Sequence, residues 1–361
     1  MGVHPGGPAP GPADEPGRDE VVSTLHRISF LLERAQAAEY RAAAYRRAGD
    51  RVRDLDAGAW AELRGTGAWT GLPDVGSSTA AVIVDVLAGR TPEALAALES
   101  DLARRLAGAT DAGRELRGRL RGDLHAHSDA SDGATPIADM ALAAVRIGHE
   151  YQAITDHSPR LTVAHGLSAD RLRAQIAQVA AMNTVLDCGD RPLRLLTGIE
   201  VDVLADGGLD QAPGLLRELD VVVASVHSQL RMDRAAMTRR MVAAVSNPAT
   251  DVLGHCTGRR VRGRPRPPSE FDAEAVFAAC AEHHVAVEVN ARPDRQDPPD
   301  ELIAVAARAG CLFSIDSDAH APGQLDWLVD GCDRLAVHGV DPDRVVTTWP
   351  VDRLLEWTHR H

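Results

Sequence analysis

The sequence predicts an α/β protein in which a small all-α region precedes a larger parallel β/α barrel. From residue 122 onward, short apolar runs typical of buried strands alternate with helical patterns, such as those at 136–147, 169–187 and 272–284. Each of these runs ends in His, Asp, Glu or Asn, and the strands of a parallel barrel open their carboxyl ends onto one face. By contrast, residues 21–105 show only helical periodicity.

The region before the barrel divides into three parts by composition. Residues 1–20 are rich in Gly, Pro and acidic residues and have little to bury, which predicts a disordered tail. Residues 21–105 form the predicted helical domain, with a turn expected at Gly49-Asp50. Residues 106–119 are interpreted as a linker to a domain spanning residues 120–361.

Residues 71–89 (GLPDVGSSTAAVIVDVLAG) predict a tight hairpin that leads into a helix over 79–87. Gly76 is expected to supply a backbone conformation that other residues avoid, and Ser77 or Ser78 to cap the helix. Free N–H groups at such a helix start can bind an anion. The segment resembles the helix-hairpin-helix of DNA-binding proteins, and an ordinary packing hairpin is the alternative. The resemblance implies DNA contacts by Leu72, Pro73, Val75, Gly76 and Ser77.

Composition excludes several classes of function. The formal net charge is −13, and residues 122–361 carry most of it, so the barrel is not expected to hold nucleic acid through a general positive field. All 39 cationic residues are arginine, which excludes Schiff-base lysine chemistry. The five cysteines are scattered without a CxxC pair, which argues against a disulfide framework. Neither a membrane span nor a signal peptide is recognisable, so we expect a cytoplasmic protein without membrane contact.

Seven strands are predicted, and potential metal ligands follow them. In DLHAHSDASDG (123–133), alternation places His125 and His127 on one face, and a turn can return Asp132 to the same place. Two histidines alone could be an ordinary surface pair, but the convergence of seven runs favours a metal site. The predicted strands are 122–127, 151–157, 193–202, 219–227, 251–255, 285–290 and 311–320.

The candidate ligands contain no cysteine, which suits Zn, Mn or Fe, and they are too many for one ion. We therefore expect two or three divalent ions as cofactors, an arrangement suited to hydrolysis of a phosphate ester. An amidohydrolase with Asp156 or Asp202 as general base is the alternative enzyme class. The nine candidates are His125, His127, Asp132, His157, Glu200, His227, His255, Asp318 and His320.

These motifs together resemble a polymerase and histidinol phosphatase (PHP) domain. The similarity covers residues 120–361 and is strongest to the version found at the carboxyl terminus of bacterial family X DNA polymerases. It implies a distorted seven-stranded, TIM-like (β/α)7 barrel with a trinuclear metal centre. The motifs are DLHAHSDASDG, AITDHS (153–158), TGIEVD (197–202), ASVHS (224–228), LGHCTGR (253–259), EVNARPDRQDPPD (288–300) and DSDAH (316–320).

The resemblance also implies how the ligands are shared. A first ion would be held by His125, His127, Glu200 and Asp318, with Glu200 bridging to a second ion held by His227 and His255. Asp132, His157 and His320 would hold the third. All nine positions carry residues able to ligate, so we expect an active domain. The residues expected to act in catalysis are His125, His127, Glu200, His227 and Asp318.

The helical region resembles the leading domain of the same polymerases, including YRRAGDRV (45–52) and the LPDVG hairpin. The short stretch before the barrel leaves no room for a nucleotidyltransferase palm, so no polymerase activity is expected. The absence of lysine likewise predicts no deoxyribose-phosphate lyase activity. The protein resembles a polymerase reduced to its DNA-gripping and phosphoesterase ends.

The expected reaction is hydrolysis of a phosphate ester by a hydroxide held between the ions. DNA 3′ ends are the expected substrate, processed by a 3′–5′ exonuclease or 3′-phosphatase in DNA repair. A small-molecule phosphomonoesterase of the histidinol-phosphatase type is the alternative, and a DNA-binding module with structural metals is a third possibility. The sequence does not identify a protein partner. Candidate substrate contacts beyond strand ends, each of which could also be a surface residue, are Arg160, His165, Arg259, Arg262 and Arg295.

Overall fold

The structure, a computed structural model, describes residues 17–187 and 192–359, which divide into two compact units after Ala107. Residues 1–16 of the predicted tail lie outside the described residues. The predicted end of the tail at residue 20 was wrong, because residues 18–20 form the start of the first helix. No helix among the described residues is long and apolar enough to cross a bilayer. The first unit is helical and contains α1 (Arg18–Arg34), α2 (Glu39–Arg53), α3 (Ala57–Thr66), α4 (Ser77–Leu87) and α5 (Glu93–Ala107).

The turn predicted at Gly49-Asp50 was wrong, because α2 continues through both residues. Gly49 serves packing instead: a Cβ atom there would lie 2.6 Å from Cδ2 of His26 on α1. The missing side chain therefore lets α1 and α2 approach closely. Their apolar faces form the core of the unit together with Val52 and Ile83.

The hairpin before α4 forms, but its backbone differs from the prediction. The Val75 N–H donates to the Leu72 carbonyl at 3.2 Å, and Asp74 rather than Gly76 adopts the left-handed conformation, with φ +64°. Gly76 is extended, with φ −90° and ψ 178°, and it stands at the N-cap without a side-chain cap from Ser77 or Ser78. Asp74 is held in place by ion pairs with arginines of α2.

The second unit is a seven-stranded parallel sheet in sequential order. All seven predicted strands form, and each is shorter than predicted. The sheet nearly closes into a barrel, since Ala126 after the first strand bridges Ala319 after the last and the His127 N–H donates to the Ala319 carbonyl at 2.8 Å. The strands are β1 (Gly122–Asp123), β2 (Tyr151–Ile154), β3 (Arg194–Asp202), β4 (Val221–Ser225), β5 (Val252–Leu253), β6 (Ala286–Asn290) and β7 (Leu312–Asp316).

Helices connect the strands, as parallel neighbours require. Asp233 and Asp272 cap two of the connecting helices by accepting N–H bonds from the first turn. The helices of this unit are α6 (Asp111–Arg119), α7 (Ile137–Arg146), α8 (Ala169–Leu186), α9 (Pro213–Leu216), α10 (Arg234–Val245), α11 (Ala273–Glu282), α12 (Asp300–Ala309), α13 (Leu328–Ala336) and α14 (Val351–Thr358).

The stretch predicted as a linker, 106–119, contains α6, which packs on α13 within the second unit. The Thr110 backbone N–H and hydroxyl both donate to Asp333 Oδ1, at 2.9 and 2.7 Å. A Cβ atom on Gly113 would lie 2.9 Å from the Asp333 Cα, so only glycine allows this approach. Leu116 is buried in the core of the barrel unit.

Candidate metal centre

The predicted ligands meet at the carboxyl ends of the strands, which we call the rim. His125 and His127 follow β1, and Glu200 lies near the end of β3. Here the strands are buried and end in polar residues, so side chains from distant parts of the chain face one another. The structure brings all nine predicted ligands together at this rim.

Glu200 is the centre of the cluster, because five imidazoles surround its carboxylate. Oε1 lies 2.8 Å from His255 Nε2 and 3.2 Å from His227 Nε2. Oε2 lies 2.8 Å from His157 Nδ1 and 3.6 Å from His127 Nε2. The fifth imidazole belongs to His125, whose Nε2 is 3.4 Å from Oε1.

A second group of candidate ligands surrounds Asp132 and shares His157 with the first. His157 Nε2 and His320 Nε2 are 3.4 and 3.5 Å from Asp132 Oδ1. Asp132 is the one exposed member of the nine, at the open side of the rim. Among the described residues, three groupings could each hold an ion: His127, Asp132, His157 and His320; His125, His127 and Glu200; and His157, Glu200 and His227.

Asp318 stands between the ligands and two arginines. Its Oδ1 lies 3.5 Å from His127 Nε2, while Oδ2 lies 2.8 Å from Arg295 Nε and accepts a bond from Asn290 Nδ2 at 3.2 Å. Arg292 Nη1 is 3.5 Å from Oδ1 and donates to His320 Nδ1 at 3.1 Å. One carboxylate oxygen is therefore held by Arg295, and the other faces the cluster.

Unpaired nitrogen atoms show that the cluster fits metal ions. His127 is fully buried, yet neither of its ring nitrogens has a hydrogen-bond partner among the described residues, and the same holds for His125 Nε2. A buried polar atom without a partner is costly unless something else satisfies it. Neutral imidazole nitrogens and nearby carboxylates are suitable ligands for a divalent ion, and such an ion would give the buried nitrogens a partner.

The pKa values show that the site attracts positive charge. Burial opposes ionisation of Glu200, but the imidazoles around it, His227 foremost, lower its pKa well below the usual value. Burial also disfavours the charged form of His157, but Glu200 and Asp132 raise its pKa to about 10. Burial and the neighbouring His320 and His157 lower the pKa of His127, which keeps that imidazole neutral as ligation requires.

Glu288 is a functional candidate that the sequence analysis missed. It is fully buried on β6, and its Oε1 accepts a bond from His125 Nδ1 at 2.6 Å. Oε2 accepts the His255 backbone N–H and a bond from Asn290 Nδ2 at 3.2 Å. A signal was present, because an acidic residue inside the apolar run AVEVN needs a buried partner.

The two carboxylates considered as general bases have other roles. Asp156 accepts bonds from the Ser128 N–H and hydroxyl, at 2.8 and 2.6 Å, and from Gln175 at 2.6 Å. Asp202 Oδ1 accepts the His227 N–H at 3.1 Å and lies 3.5 Å from the Nδ1 of the same residue. Both oxygens of Asp156 are therefore engaged, and Asp202 positions His227 through Oδ1.

The candidate substrate contacts differ in how deeply their side chains are buried. Arg295 is buried against Asp318, and Arg259 fastens a loop through its Nε bond to the Arg295 carbonyl at 3.2 Å. The side chains of Arg160, His165 and Arg262 are exposed. His165 adopts φ +55° in the loop after β2.

In the first unit, the predicted DNA contacts divide between core and surface. Val75 is buried and Leu72 packs against the same core, whereas Pro73, Gly76 and Ser77 are exposed. A groove of about 300 Å³ borders the start of α4, with Tyr40, Arg41 and Tyr45 on its opposite side. The four described cysteines, at 256, 280, 311 and 332, are buried and free, as expected for small apolar residues.

Seven parallel strands with histidines and carboxylates at the rim define a class: the protein is a metal-dependent hydrolase of phosphate esters with a TIM-like α/β barrel. The family model of the PHP domain matches residues 123–292. A probable phosphatase of Edwardsiella ictaluri is 31% identical over 249 residues, 66% of this chain and 94% of that protein. The chain belongs to the PHP-domain family.

Two further relatives differ in size. The DNA polymerase/3′-5′ exonuclease PolX of Bacillus subtilis is 38% identical over 59% of this chain, which spans 36% of PolX. A probable phosphatase of Vibrio parahaemolyticus is 29% identical over 63% of this chain and 88% of its own. The crystal structure of histidinol phosphate phosphatase from Lactococcus lactis, complexed with zinc, L-histidinol and phosphate, superposes with a TM-score of 0.43 at 18% identity, over 61% of this chain and 94% of that one.

Proposed function

We propose that this hydrolase acts on DNA 3′ ends, as a 3′–5′ exonuclease or a 3′-phosphatase. The observation that supports phosphoester hydrolysis is the Glu200 carboxylate surrounded by five imidazoles at the barrel rim. Divalent ions bound there would lower the pKa of a water molecule and neutralise charge on the attacking and leaving oxygens of a phosphate. Zn, Mn and Fe all suit this donor set.

The proposed ligand scheme has two or three ions. His125, His127, Glu200 and Asp318 would hold the first, and Glu200 would also contribute to a second held by His227 and His255. Asp132, His157 and His320 would hold a third at the open side of the rim. The distances of 2.8 to 3.6 Å between Glu200 and its imidazoles support the bridging role. Asp318 supports its own assignment, since Arg295 holds one oxygen and leaves the other toward His127.

DNA is the proposed substrate for two reasons. The matched relative of Bacillus subtilis is named a 3′-5′ exonuclease, and the first unit offers exposed N–H groups at the start of α4 beside a groove. A DNA strand bound by that hairpin would be held by the same chain that carries the phosphoesterase. We also propose a cytoplasmic location.

A small phosphate monoester is the second candidate substrate. Relatives named probable phosphatases are matched over 88% and 94% of their length, so they consist mostly of the region they share with this barrel. That region alone can support a phosphatase. A small phosphate ester would be bound by the shared barrel alone. DNA would also contact residues outside that barrel.

A panel of substrates tests the proposal. Protein supplied with Mn²⁺ is given a 3′-hydroxyl oligonucleotide, a 3′-phosphate oligonucleotide and histidinol phosphate. We expect release of nucleotides or phosphate from DNA ends, and Glu200→Gln should lower that rate by at least about 100-fold because the central carboxylate loses its charge. Exposed Glu218, at the opposite end of the barrel, provides the control Glu218→Gln. Efficient turnover of histidinol phosphate with DNA untouched would contradict the DNA assignment.

A further inference from the structure

Residues 259–266 form a short hairpin that we call the arginine hairpin. Arg260 and Arg266 pair as antiparallel neighbours, with N–H to carbonyl distances of 2.9 and 3.0 Å. Five of the eight residues are arginine, and no acidic residue occurs between Asp251 and Glu270. A dense positive charge therefore interrupts a domain that is otherwise acidic.

The hairpin is anchored at the rim. The Gly258 N–H at its base donates to the carbonyl of His255 at 2.8 Å. The Val261 N–H donates to the Asp294 carbonyl at 2.7 Å, which joins the hairpin to the loop that carries Arg292 and Arg295. Those two arginines contact Asp318, so the hairpin is joined through this loop to one of the candidate metal ligands.

The arginines of the hairpin divide into anchors and free side chains. Arg259 and Arg266 are anchors, since the latter donates from Nε to the Gly258 carbonyl at 2.6 Å. Arg262 and Arg264 are exposed and make no ion pair or hydrogen bond within the described part of the chain. The Nε atom of Arg260, between these groups, is buried and also lacks a partner there. Three guanidinium groups are thus available to an anion.

Arg260 lies close enough to Arg292 and Arg295 for their charges to affect it. Burial lowers its pKa, and Arg295 and Arg292 lower it further because like charges lie close together. Arginine remains charged despite such a shift, and the carboxylates of Asp294 and Asp318 offset part of the repulsion. Arg260 is therefore close to Arg292 and Arg295, and Arg262 and Arg264 follow it in the chain toward the exposed tip of the hairpin.

We propose that the arginine hairpin binds the phosphodiester backbone of a nucleic-acid strand whose terminal phosphate lies at the rim. One guanidinium group can bind two oxygens of a phosphate at once. Several arginines close together in one hairpin therefore suit a chain of phosphates better than a single phosphate monoester. This inference rests on the proposed function and names the residues that would distinguish DNA from a small phosphate ester.

The geometry predicts a length dependence. The three peptide steps from Arg260 to the tip at Gly263 span up to about 10 Å, at about 3.3 Å per residue. One phosphate cannot contact groups this far apart, so the tip would contact the phosphate of a neighbouring nucleotide. A substrate with a single phosphate should not reach Arg262 and Arg264, whereas a longer strand should.

The test replaces both tip arginines, Arg262→Gln with Arg264→Gln, which leaves the rim residues unchanged. We expect the Kd of the metal-loaded protein for an uncleavable phosphorothioate strand of about ten nucleotides to rise about tenfold. The slope of log Kd against log salt should fall by about 1.4, which corresponds to two lost phosphate contacts. Hydrolysis of p-nitrophenyl phosphate, which has a single phosphate, should stay unchanged.

The matched control is Arg194→Gln with Arg217→Gln. Both of these arginines are exposed and lie at the amino-terminal ends of strands, so the net charge changes equally at the opposite end of the barrel. An unchanged Kd in the tip variant, or an equal loss in the control, would overturn the inference. If the wild-type protein cleaves no DNA, the proposed function fails, while the Kd comparison on the uncleavable strand still decides the role of the hairpin.

Discussion

At the level of single residues, Glu288 shows how a side chain that is not a predicted ligand can control a metal site. It contacts His125 through one oxygen and the His255 backbone through the other. Through Asn290 it is also linked to Asp318. A carboxylate in this position fixes the tautomer and orientation of a ligand imidazole and makes it more basic.

Glu288→Gln should therefore weaken metal binding by about 10- to 100-fold. The amide keeps the shape of the side chain, but it loses the charge that favours Nδ1–H donation by His125. Competition between the protein and a coloured chelator measures the affinity without relying on activity. Glu282→Gln, an exposed neighbour on α11, is the control. Equal metal affinity in wild type and Glu288→Gln would show that Glu288 only fills the core.

His149 makes a separate prediction about pH. It is buried and bonded to Gln152, and burial, with the nearby charge of Arg117, lowers its pKa to about 3. The folded protein therefore keeps His149 neutral, whereas the unfolded chain takes up a proton below about pH 6.5. The contribution of His149 to the free energy of unfolding is fully present above that pH and is lost as the pH falls toward 3.

We expect wild-type protein to lose up to about 1.4 kcal/mol of unfolding free energy per pH unit, relative to His149→Gln, between about pH 6 and 4. Urea unfolding of both proteins at several pH values measures the difference. The comparison cancels the effect of protons on the metal ligands, which are the same in both. A constant difference across this range would mean that His149 accepts a proton in the folded state.

Residue types at the rim could be predicted from sequence, but their contacts could not. Histidines and carboxylates after apolar runs indicated a metal site, and the nine ligands do meet there. Arg295 was expected to bind substrate, yet its guanidinium lies against Asp318. Sequence shows that an arginine follows a strand, but only the packed loop shows that Asp318 is within 2.8 Å of it.

At the level of elements, the start of α4 offers a clean test of DNA binding. A Cβ atom on Gly76 would have nothing within 4 Å, and its extended backbone suits any residue. Gly76→Asp and Gly76→Asn both place a good N-cap there, so helix stability should be kept or raised slightly. They differ in charge, and therefore in how they interact with a phosphate.

We expect Gly76→Asp to weaken DNA binding about tenfold more than Gly76→Asn does, because a carboxylate at the helix start repels the phosphate. Fluorescence anisotropy with labelled duplex DNA measures affinity, and thermal unfolding checks that both variants are folded. If both bind DNA as tightly as wild type, the hairpin serves packing alone, the alternative that the sequence left open.

Elements were predicted better than their ends. Apolar runs located all seven strands, since a buried parallel strand needs a continuous apolar stretch. Pattern alone placed a turn at Gly49, because glycine both breaks helices and permits close packing. The ring of His26, distant in sequence, decides between these roles. Similarly, the polar character of α6 concealed a helix that buries few side chains.

At the level of the whole molecule, charge is distributed unevenly. The barrel domain is acidic overall, and its arginine hairpin concentrates positive charge beside the candidate metal ligands. We expect an anionic strand to be repelled by most of the barrel surface and attracted at this place, which would favour productive encounters over non-specific ones. Summed composition predicted the repulsion but not the local attraction, which requires the loop to fold against the rim.

The packing of α6 on α13 determines where a fragment that contains only the barrel unit should begin. A gene fragment cut at the first residue of the family match, Asp123, would omit Thr110, Gly113 and Leu116. It would expose apolar side chains and leave Asp333 without its two donors. A fragment that begins at Gly108, where the second compact unit starts, keeps that support.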